Sequence, residues 1–318
     1  MTGSMKRRIG RVLAGVCAVA LAMGAGGCSL LTPSLSSEAP VTHKQTVDDA
    51  DLVQAGTLTV AVDTSDAPQA IQQNGTIEGY DVDVAHALAE RMGLDVRIVF
   101  GASAESTFSD GTTDLYLGAE AGDNSSSVAV SGNYLENATA VFGPEDAAAT
   151  LSAETLAAST VGVQSSSASQ EALTRAGIGA TQNTYSNVNA CFEALASGEV
   201  DYVVCDATAG AYLARAYPGV GFLGTISAPT AYGLAVSTQP GDLDDAIMET
   251  FDKIAGDGTL DAIHTVWYGH LPLSLSDTVV SGVTVPSEEE EAPADDASAD
   301  GSTTVSGSAS VDSMNSLD

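Results

Sequence analysis

Carboxylates and hydroxyls stand just past four apolar runs of this 318-residue chain. Asp63 and Asp66 follow Leu58-Thr-Val-Ala-Val62, and Gly118-Ala119-Glu120 follow Leu115-Tyr-Leu117. Ser166 and Ser167 follow Thr160-Val-Gly-Val163, and Asp206 follows Tyr202-Val-Val-Cys205. In open α/β sheets ligands bind outside the carboxyl ends of the strands, so these residues form the candidate ligand-binding set. The chemistry they offer is recognition of a small polar solute by charge and hydrogen bonding. Catalysis is not indicated. No Ser, His and acid series stands in the context of a nucleophile elbow. His43, His86, His264 and His270 lack the mutual spacing of a metal site. Without a glycine-rich nucleotide loop as well, the chain is expected to carry no catalytic residue, metal or cofactor.

The elements that must hold these residues recur. A Gly-x-x-Asp followed by an apolar strand occurs as Gly111-Thr-Thr-Asp114-Leu-Tyr-Leu and again as Gly198-Glu-Val-Asp201-Tyr-Val-Val. Each copy follows a helical stretch and an earlier strand, and strand, helix, strand repeated in this way predicts two similar α/β lobes. In the first lobe Gln73-Asn-Gly75 signals a hairpin. Val84, Ala85, Leu88 and Met92 then share one face of a helix that opens at Gly79-Tyr-Asp81 and can end at Gly93. Asp81 and Asp83, at that helix start, read as capping and dipole-stabilising residues, not as a catalytic carboxylate pair.

The ends differ in character from the body. Lys6, Arg7, Arg8 and Arg11, an apolar run from Val12 to Met23 and the small residues Ala25-Gly26-Gly27 predict a secretory signal over residues 1–27. Small residues directly before Cys28 resemble a bacterial lipoprotein cleavage box, which makes Cys28 the expected lipidation site and residues 28–46 a Ser/Thr/Pro-rich tether. Residues 276–318, with Glu288 to Glu291 among Ser, Ala and Gly, read as an acidic disordered tail. Removal of the signal leaves six basic residues against 42 acids, a net charge of −36, and so nucleic acid is excluded as a partner. Cys191 and Cys205 remain in an exported chain, either bridged or as two buried free thiols.

Taken in order, these residues resemble the bacterial type II extracellular solute-binding proteins, specifically the polar amino acid binding family that serves ABC importers. The resemblance rests on Gly56-Thr-Leu-Thr-Val-Ala-Val-Asp63, Ala67-Pro68, Gly75-Thr-Ile-Glu-Gly-Tyr-Asp-Val-Asp83, Gly111-Thr-Thr-Asp114, Val161-Gly-Val-Gln164, Ala194-Leu195-Ala-Ser-Gly-Glu-Val-Asp201, Asp206, Tyr232-Gly-Leu-Ala-Val236, Asp257-Gly258 and Trp267-Tyr-Gly269. It implies an α/β type II periplasmic binding fold with two hinge strands. Lobe 1 would comprise residues 47–142 and 231–275, and lobe 2 residues 143–230. It also implies a monomer without enzymatic activity, held by lipid at the extracellular face of the membrane. Such a protein captures a small polar solute between its lobes and delivers it to a membrane permease driven by a separate ATPase.

Departures from the family pattern bear on the ligand. Relatives that bind amino acids clamp the ligand carboxylate with an Arg in a Thr-x-x-Arg turn, where this chain has Gly122-Asp-Asn-Ser-Ser-Ser127. The Gly-Thr pair after Val-Gly-Val-Gln is Ser166-Ser167, and the aromatic beside Ala67-Pro68 is absent. Asp206, which matches the acid that pairs with the ligand amine, is kept. Serine hydroxyls do not replace a bidentate Arg. Asp63, Asp66 and Asp206 would repel a second carboxylate and attract a cation, so the ligand is expected to be amine-like or cationic. The alternatives are a degenerate fold serving as a surface or sensor lipoprotein, and an enzyme that dehydrates cyclic precursors, which needs the missing Arg.

Overall fold

The computed structural model describes residues 43–238 and 242–285, and the expected signal 1–27, Cys28, most of the tether and the chain beyond 285 lie outside them. The chain forms two compact units: unit 1 runs to Glu136 and resumes over Ala231–Gly269, and unit 2 comprises Asn137–Thr230 and the chain from His270 onward.

Unit 1 opens with β1 (Thr57–Val62), every residue of which is buried. A hairpin follows, β2 (Ile71–Gln73) and β3 (Thr76–Glu78), turned by Asn74 and Gly75 with φ of 52° and 85°. Positive φ at both central residues is the primed turn that Asn-Gly favours. α1 (Tyr80–Met92) buries Val84, Ala85, Leu88 and Met92 and ends at Gly93 in the left-handed region. β4 (Asp95–Phe100) then lies parallel to β1 from Thr57↔Asp95 to Val62↔Phe100. α2 (Ala104–Ser109), capped by Ser103, leads to β5 (Leu115–Glu120), and β6 (Val128–Asn137) carries the chain out.

Unit 2 contains β7 (Thr139–Pro144), α3 (Ala153–Ala157), β8 (Thr160–Gln164), α4 (Ala168–Arg175), β9 (Thr181–Tyr185), α5 (Val188–Ser197), β10 (Tyr202–Asp206), α6 (Ala207–Ala214) and β11 (Val220–Thr225). The chain re-enters unit 1 through β12 (Thr230–Ser237) and closes it with α7 (Asp242–Gly256) and α8 (Thr259–Tyr268). The unit 1 sheet has the order β4-β1-β5-β12-β6, and the unit 2 sheet β11-β7-β10-β8-β9. The central strand β1 is buried along its whole length, as crossover helices on both faces require, whereas the edge strand β4 has no fully buried residue.

The repeated Gly-x-x-Asp does the same work in each unit. Asp114 accepts the N–H groups of Val53 at 2.8 Å and Thr59 at 2.7 Å, and its own N–H donates to the Thr59 carbonyl at 2.9 Å. Asp201 accepts the Thr160 N–H at 2.8 Å and donates its N–H to the Thr160 carbonyl at 2.8 Å. Each carboxylate thus ties one strand to the start of its parallel neighbour, β5 to β1 and β10 to β8.

Several expectations need correction. The chain passes from unit 1 to unit 2 at Glu136/Asn137, not at 142/143, because β7 pairs with β10 and β11. Residues 270–275 group with unit 2 and not with lobe 1, so the chain crosses once more beyond the two strand crossings. The described part of the expected tail, 276–285, is packed: Val280 is buried in the unit 2 core, and its N–H donates to the Thr225 carbonyl. The end of the expected tether is docked as well, with the Thr46 N–H donating to the Met92 carbonyl. Cys191 and Cys205 are free buried thiols. Each lies in its own packing: the Cys191 Cβ against Gly162, and the Cys205 Sγ where a Cβ on Gly210 would fall.

Candidate functional site

In unit 1 the candidate residues gather at the carboxyl ends of β1 and β5. Asp63 Oδ1 accepts both the N–H and the hydroxyl of Ser65, at 2.9 and 2.8 Å, which closes a local turn and leaves Oδ2 outside any described hydrogen bond. Ala119 pairs with Gly233 and Leu117 with Leu234, so Gly118 is an extra residue on β5, with φ of 84°. This β-bulge re-aims Ala119 and Glu120 at the strand end, as bulges beside binding sites do. A Cβ at Gly118 would sit 3.1 Å from Asp81 Oδ2.

Asp81 is the residue whose role the sequence did not reveal. The helix is capped by Gly79 without a side-chain bond, and the Asp81 carboxyl is buried, accepting the Tyr134 hydroxyl at 2.8 Å on Oδ1. Capping was the expectation; the side chain instead turns inward beneath Gly118. Burial is the largest influence on it and, together with the charge of Asp66, pushes its pKa up to about 8 against the Tyr134 hydrogen bond. Tyr134, His264 and Tyr268 pack around the adjacent Tyr80, with ring centroids 5.0 to 6.2 Å from its own.

Tyr116 on β5 reports the surrounding field. Burial and then the charges of Asp63, Asp81, Asp66 and Asp123 drive its hydroxyl pKa upward. At neutral pH the charges that act on it are chiefly those of Asp63, Asp66 and Asp123, because Asp81 with its raised pKa is mostly protonated there. Beside them Phe100 is 63% exposed and in register with Val62, one residue before Asp63. An aromatic ring left open next to acids at a strand end is a surface for a cation. Sequence reasoning passed over Phe100 because it ends an apolar strand and reads as core; its place on the edge strand is what exposes it.

Residues 121–130, where relatives place an Arg, are satisfied internally. Asn124 donates to the Ala121 carbonyl at 3.0 Å and accepts the Val130 N–H at 2.9 Å, and Ser125 Oγ accepts the Ser127 and Val128 N–H groups at 3.2 Å.

In unit 2 two of the candidates are helix caps. Ser167 caps α4 by accepting the Gln170 N–H, and its hydroxyl donates to the Gln164 carbonyl at 2.8 Å. Asp206 caps α6: Oδ1 accepts the Thr208 hydroxyl at 2.7 Å and the Ala209 N–H at 3.2 Å, and Oδ2 accepts Asn137 Nδ2. A carboxylate has roughly four acceptor positions, which leaves about one for an incoming donor. Ser166 has φ of 58°, a conformation that costs a non-glycine residue on the order of 1 kcal/mol. Its N–H donates to Gln170 Oε1 at 2.9 Å, and no described hydrogen bond uses its hydroxyl. Strain at an exposed hydroxyl next to β8 marks Ser166 as the more informative of the two serines.

A surface cavity of about 650 Å³ in unit 1 is lined by Gln54, Thr57, His86, Glu90, Asp95 and Arg97, among others. It lies at the amino ends of β1 and β4, opposite the acids, and shares no residue with the candidate set. No group of His, Cys, Asp and Glu suited to a metal ion occurs among the described residues.

The chain belongs to the bacterial extracellular solute-binding proteins, family 3, whose sequence profile matches residues 58–270. Among curated proteins none matches the chain. Solved structures share the type II periplasmic binding protein fold. One is a polar amino acid ABC uptake transporter substrate binding protein from Streptococcus thermophilus, 19% identical with a TM-score of 0.62 over 69% of this chain and 88% of that one. Another is an ancestral cationic amino acid solute binding protein, 24% identical with a TM-score of 0.59 over 70% of this chain and 100% of that one. A third is substrate binding domain 2 of GlnP from Lactococcus lactis, 19% identical with a TM-score of 0.57 over 71% and 98%. Family and fold define a bacterial extracellular solute-binding protein. Among the described residues no helix is long and apolar enough to cross a membrane.

Proposed function

We propose that this chain captures a small polar solute whose recognised group is a cation, an amine or guanidinium without a dominant carboxylate, and hands it to an ABC permease powered by a separate ATPase. The observations that carry the reading are the acids Asp63, Asp66 and Asp123, whose charges reach Tyr116, and the exposed ring of Phe100 at the carboxyl end of the neighbouring strand β4. Within unit 2 the candidate groups are Asp206 and Ser166. The turn at 121–130 supports the absence of a carboxylate clamp, since it carries no Arg and the Asn124 and Ser125 side chains are spent on the loop itself. The protein performs no chemistry on its ligand, acts as a monomer and is held at the extracellular membrane face through lipidated Cys28.

Thermal-shift and calorimetric titration of the full chain against polyamines, quaternary amines, basic and neutral amino acids and sugars tests this reading. Ligand binding to the native state alone raises the melting temperature by mass action. A rise with cationic ligands that falls at high salt and in Asp63→Asn supports it. A rise only with neutral amino acids or sugars overturns the charge assignment.

The same internal satisfaction of residues 121–130 favours a second reading, a surface or sensor protein that has lost its solute. No rise with any ligand class would select it.

A further inference from the structure

Gly79-Tyr-Asp81 places a carboxyl in the first turn of α1, but Gly79 is the cap and no side chain bonds the helix start. The Asp81 side chain is free to turn into unit 1, where it is 3% exposed and accepts the Tyr134 hydroxyl at 2.8 Å on Oδ1. An ionised carboxyl in such a place has lost its hydration and gained one neutral donor, so the neutral acid is favoured. At neutral pH Asp81 therefore carries a proton.

This buried acid adjoins the candidate site. Its Oδ2 lies against the β5 bulge, 3.1 Å from where a Cβ on Gly118 would fall. On the other side the bulge is held. A Cβ on Gly233, which pairs with Ala119, would stand 2.6 Å from the Ser131 carbonyl oxygen, and the Ala121 N–H donates to the Ala231 carbonyl at 2.8 Å. The ionisable groups about Asp81 come from four elements. Asp66 in the loop after β1 acts on it directly, Tyr116 of β5 and Tyr134 of β6 feel its charge, and α8 sets His264 and Tyr268 against Tyr80, which Asp261 also influences. None of these is a Lys or Arg. The charge of Asp66 already holds the proton on Asp81 more firmly. A positive charge lodged beside Asp66 acts with the opposite sign and loosens it.

We infer that Asp81 is a proton-exchange residue of the solute site: as a cation settles among the acids at the mouth of unit 1, the buried carboxyl beneath Gly118 gives its proton to solvent and becomes a further negative charge acting on the ligand. The inference rests on the cationic reading proposed above and adds its dependence on acidity. One positive charge enters and one proton leaves, so the local charge is unchanged. Because the proton must be removed for the tightest binding, affinity rises with pH until the free protein has itself lost the proton, near pH 8, and is level above that. At pH 7 a group with that pKa is about 0.9 protonated, which bounds the proton released per bound cation.

The test titrates the full chain with putrescine by calorimetry at pH 7 in phosphate and in Tris, whose different ionisation enthalpies give the number of protons released, and repeats the affinity measurement from pH 6 to pH 9. The parent is expected to release most of one proton and to bind several-fold more tightly for each pH unit from 6 to 8. Asp81→Asn should release none, bind about as the parent does at pH 6 and show no such rise. Without ligand, the amide resonances of Gly118 and Ala119 should titrate near pH 8 in the parent and stay still in Asp81→Asn. Binding without proton release, at an affinity flat from pH 6 to 8, overturns the exchange and leaves the cationic reading standing. Release that persists in Asp81→Asn belongs to another group and overturns it as well, as do Gly118 and Ala119 resonances that do not titrate in the parent. If no cation binds, the solute reading and the exchange fall together. Should Asp81→Asn fail to fold, Tyr134→Phe replaces it: loss of the hydroxyl that favours the ionised form moves the Gly118 midpoint above pH 8, and an unmoved midpoint refutes the assignment.

Discussion

Asp81 gives the site its expected dependence on acidity. Its folded pKa, near 8, lies above the ordinary carboxyl value of about 3.9, so between those limits the folded state holds a proton that the unfolded chain has released. Its contribution to stability is complete below about pH 4 and is lost as pH rises to about 8, with a steepest slope of about 1.4 kcal/mol per pH unit. Asp81→Asn keeps an acceptor for Tyr134 and removes the titration. The variant is expected to melt higher than the parent at pH 8 and to differ little at pH 4, and melting curves at the two values check this. Ser166→Gly relieves a left-handed backbone and should stabilise unit 2 by roughly 0.5–1 kcal/mol in urea titration. If its hydroxyl serves the solute, the same variant binds more weakly, and a parallel calorimetric titration reads that effect.

Among elements, the paired carboxylates of the repeat should matter in proportion to the bonds they accept. Asp114→Ala leaves two N–H groups without an acceptor and Asp201→Ala leaves one. Losses of about 2–4 and about 1–3 kcal/mol are expected, measured as shifts of the urea midpoint. The two thiols should resist modification. Cys191 is pushed up to about 11 by burial, and Cys205 is raised first by burial and then by the charge of Asp206. Neither should react with a thiol reagent in the folded protein at pH 7.5, and both should do so in denaturant without a reductant. Reaction of neither in denaturant would mean that they are bridged.

Elements of this kind were legible in the sequence because their signals are local. Asn74-Gly75, the apolar face of α1 with its Gly93 stop, and the Gly-x-x-Asp repeat each state a structure within a few residues. β9, with the sequence Thr-Gln-Asn-Thr-Tyr, and residues 276–285 show no comparable pattern; pairing with β8 and with Thr225 holds them in place. At the site, Asp206 and Ser167 were found by their position after strands, yet their capping roles explain much of their identity. The inward turn of Asp81 was hidden because its partner, Tyr134, is 53 residues away.

For the whole molecule, charge is the dominant variable. A net charge of −32 opposes compaction, and the Debye length falls from about 30 Å at 0.01 M salt to about 3 Å at 1 M. The melting temperature of the chain without ligand should therefore rise between 0.01 and 0.5 M NaCl, whereas the affinity for a cationic solute should fall over the same range. Opposite trends in one buffer series would be hard to produce with a neutral ligand. The docked start of the described chain has a practical side. Residues 43–45 press against Gly93, where a Cβ would approach the His43 carbonyl oxygen to 2.6 Å, at the carboxyl end of α1 and the amino ends of β1 and β4. Whatever is joined ahead of His43, whether a biosensor chip, a dye or a bead, is led into unit 1 at the end of its sheet away from Asp63 and Phe100. Immobilisation through that terminus should leave the acidic mouth of unit 1 open to the flowing sample.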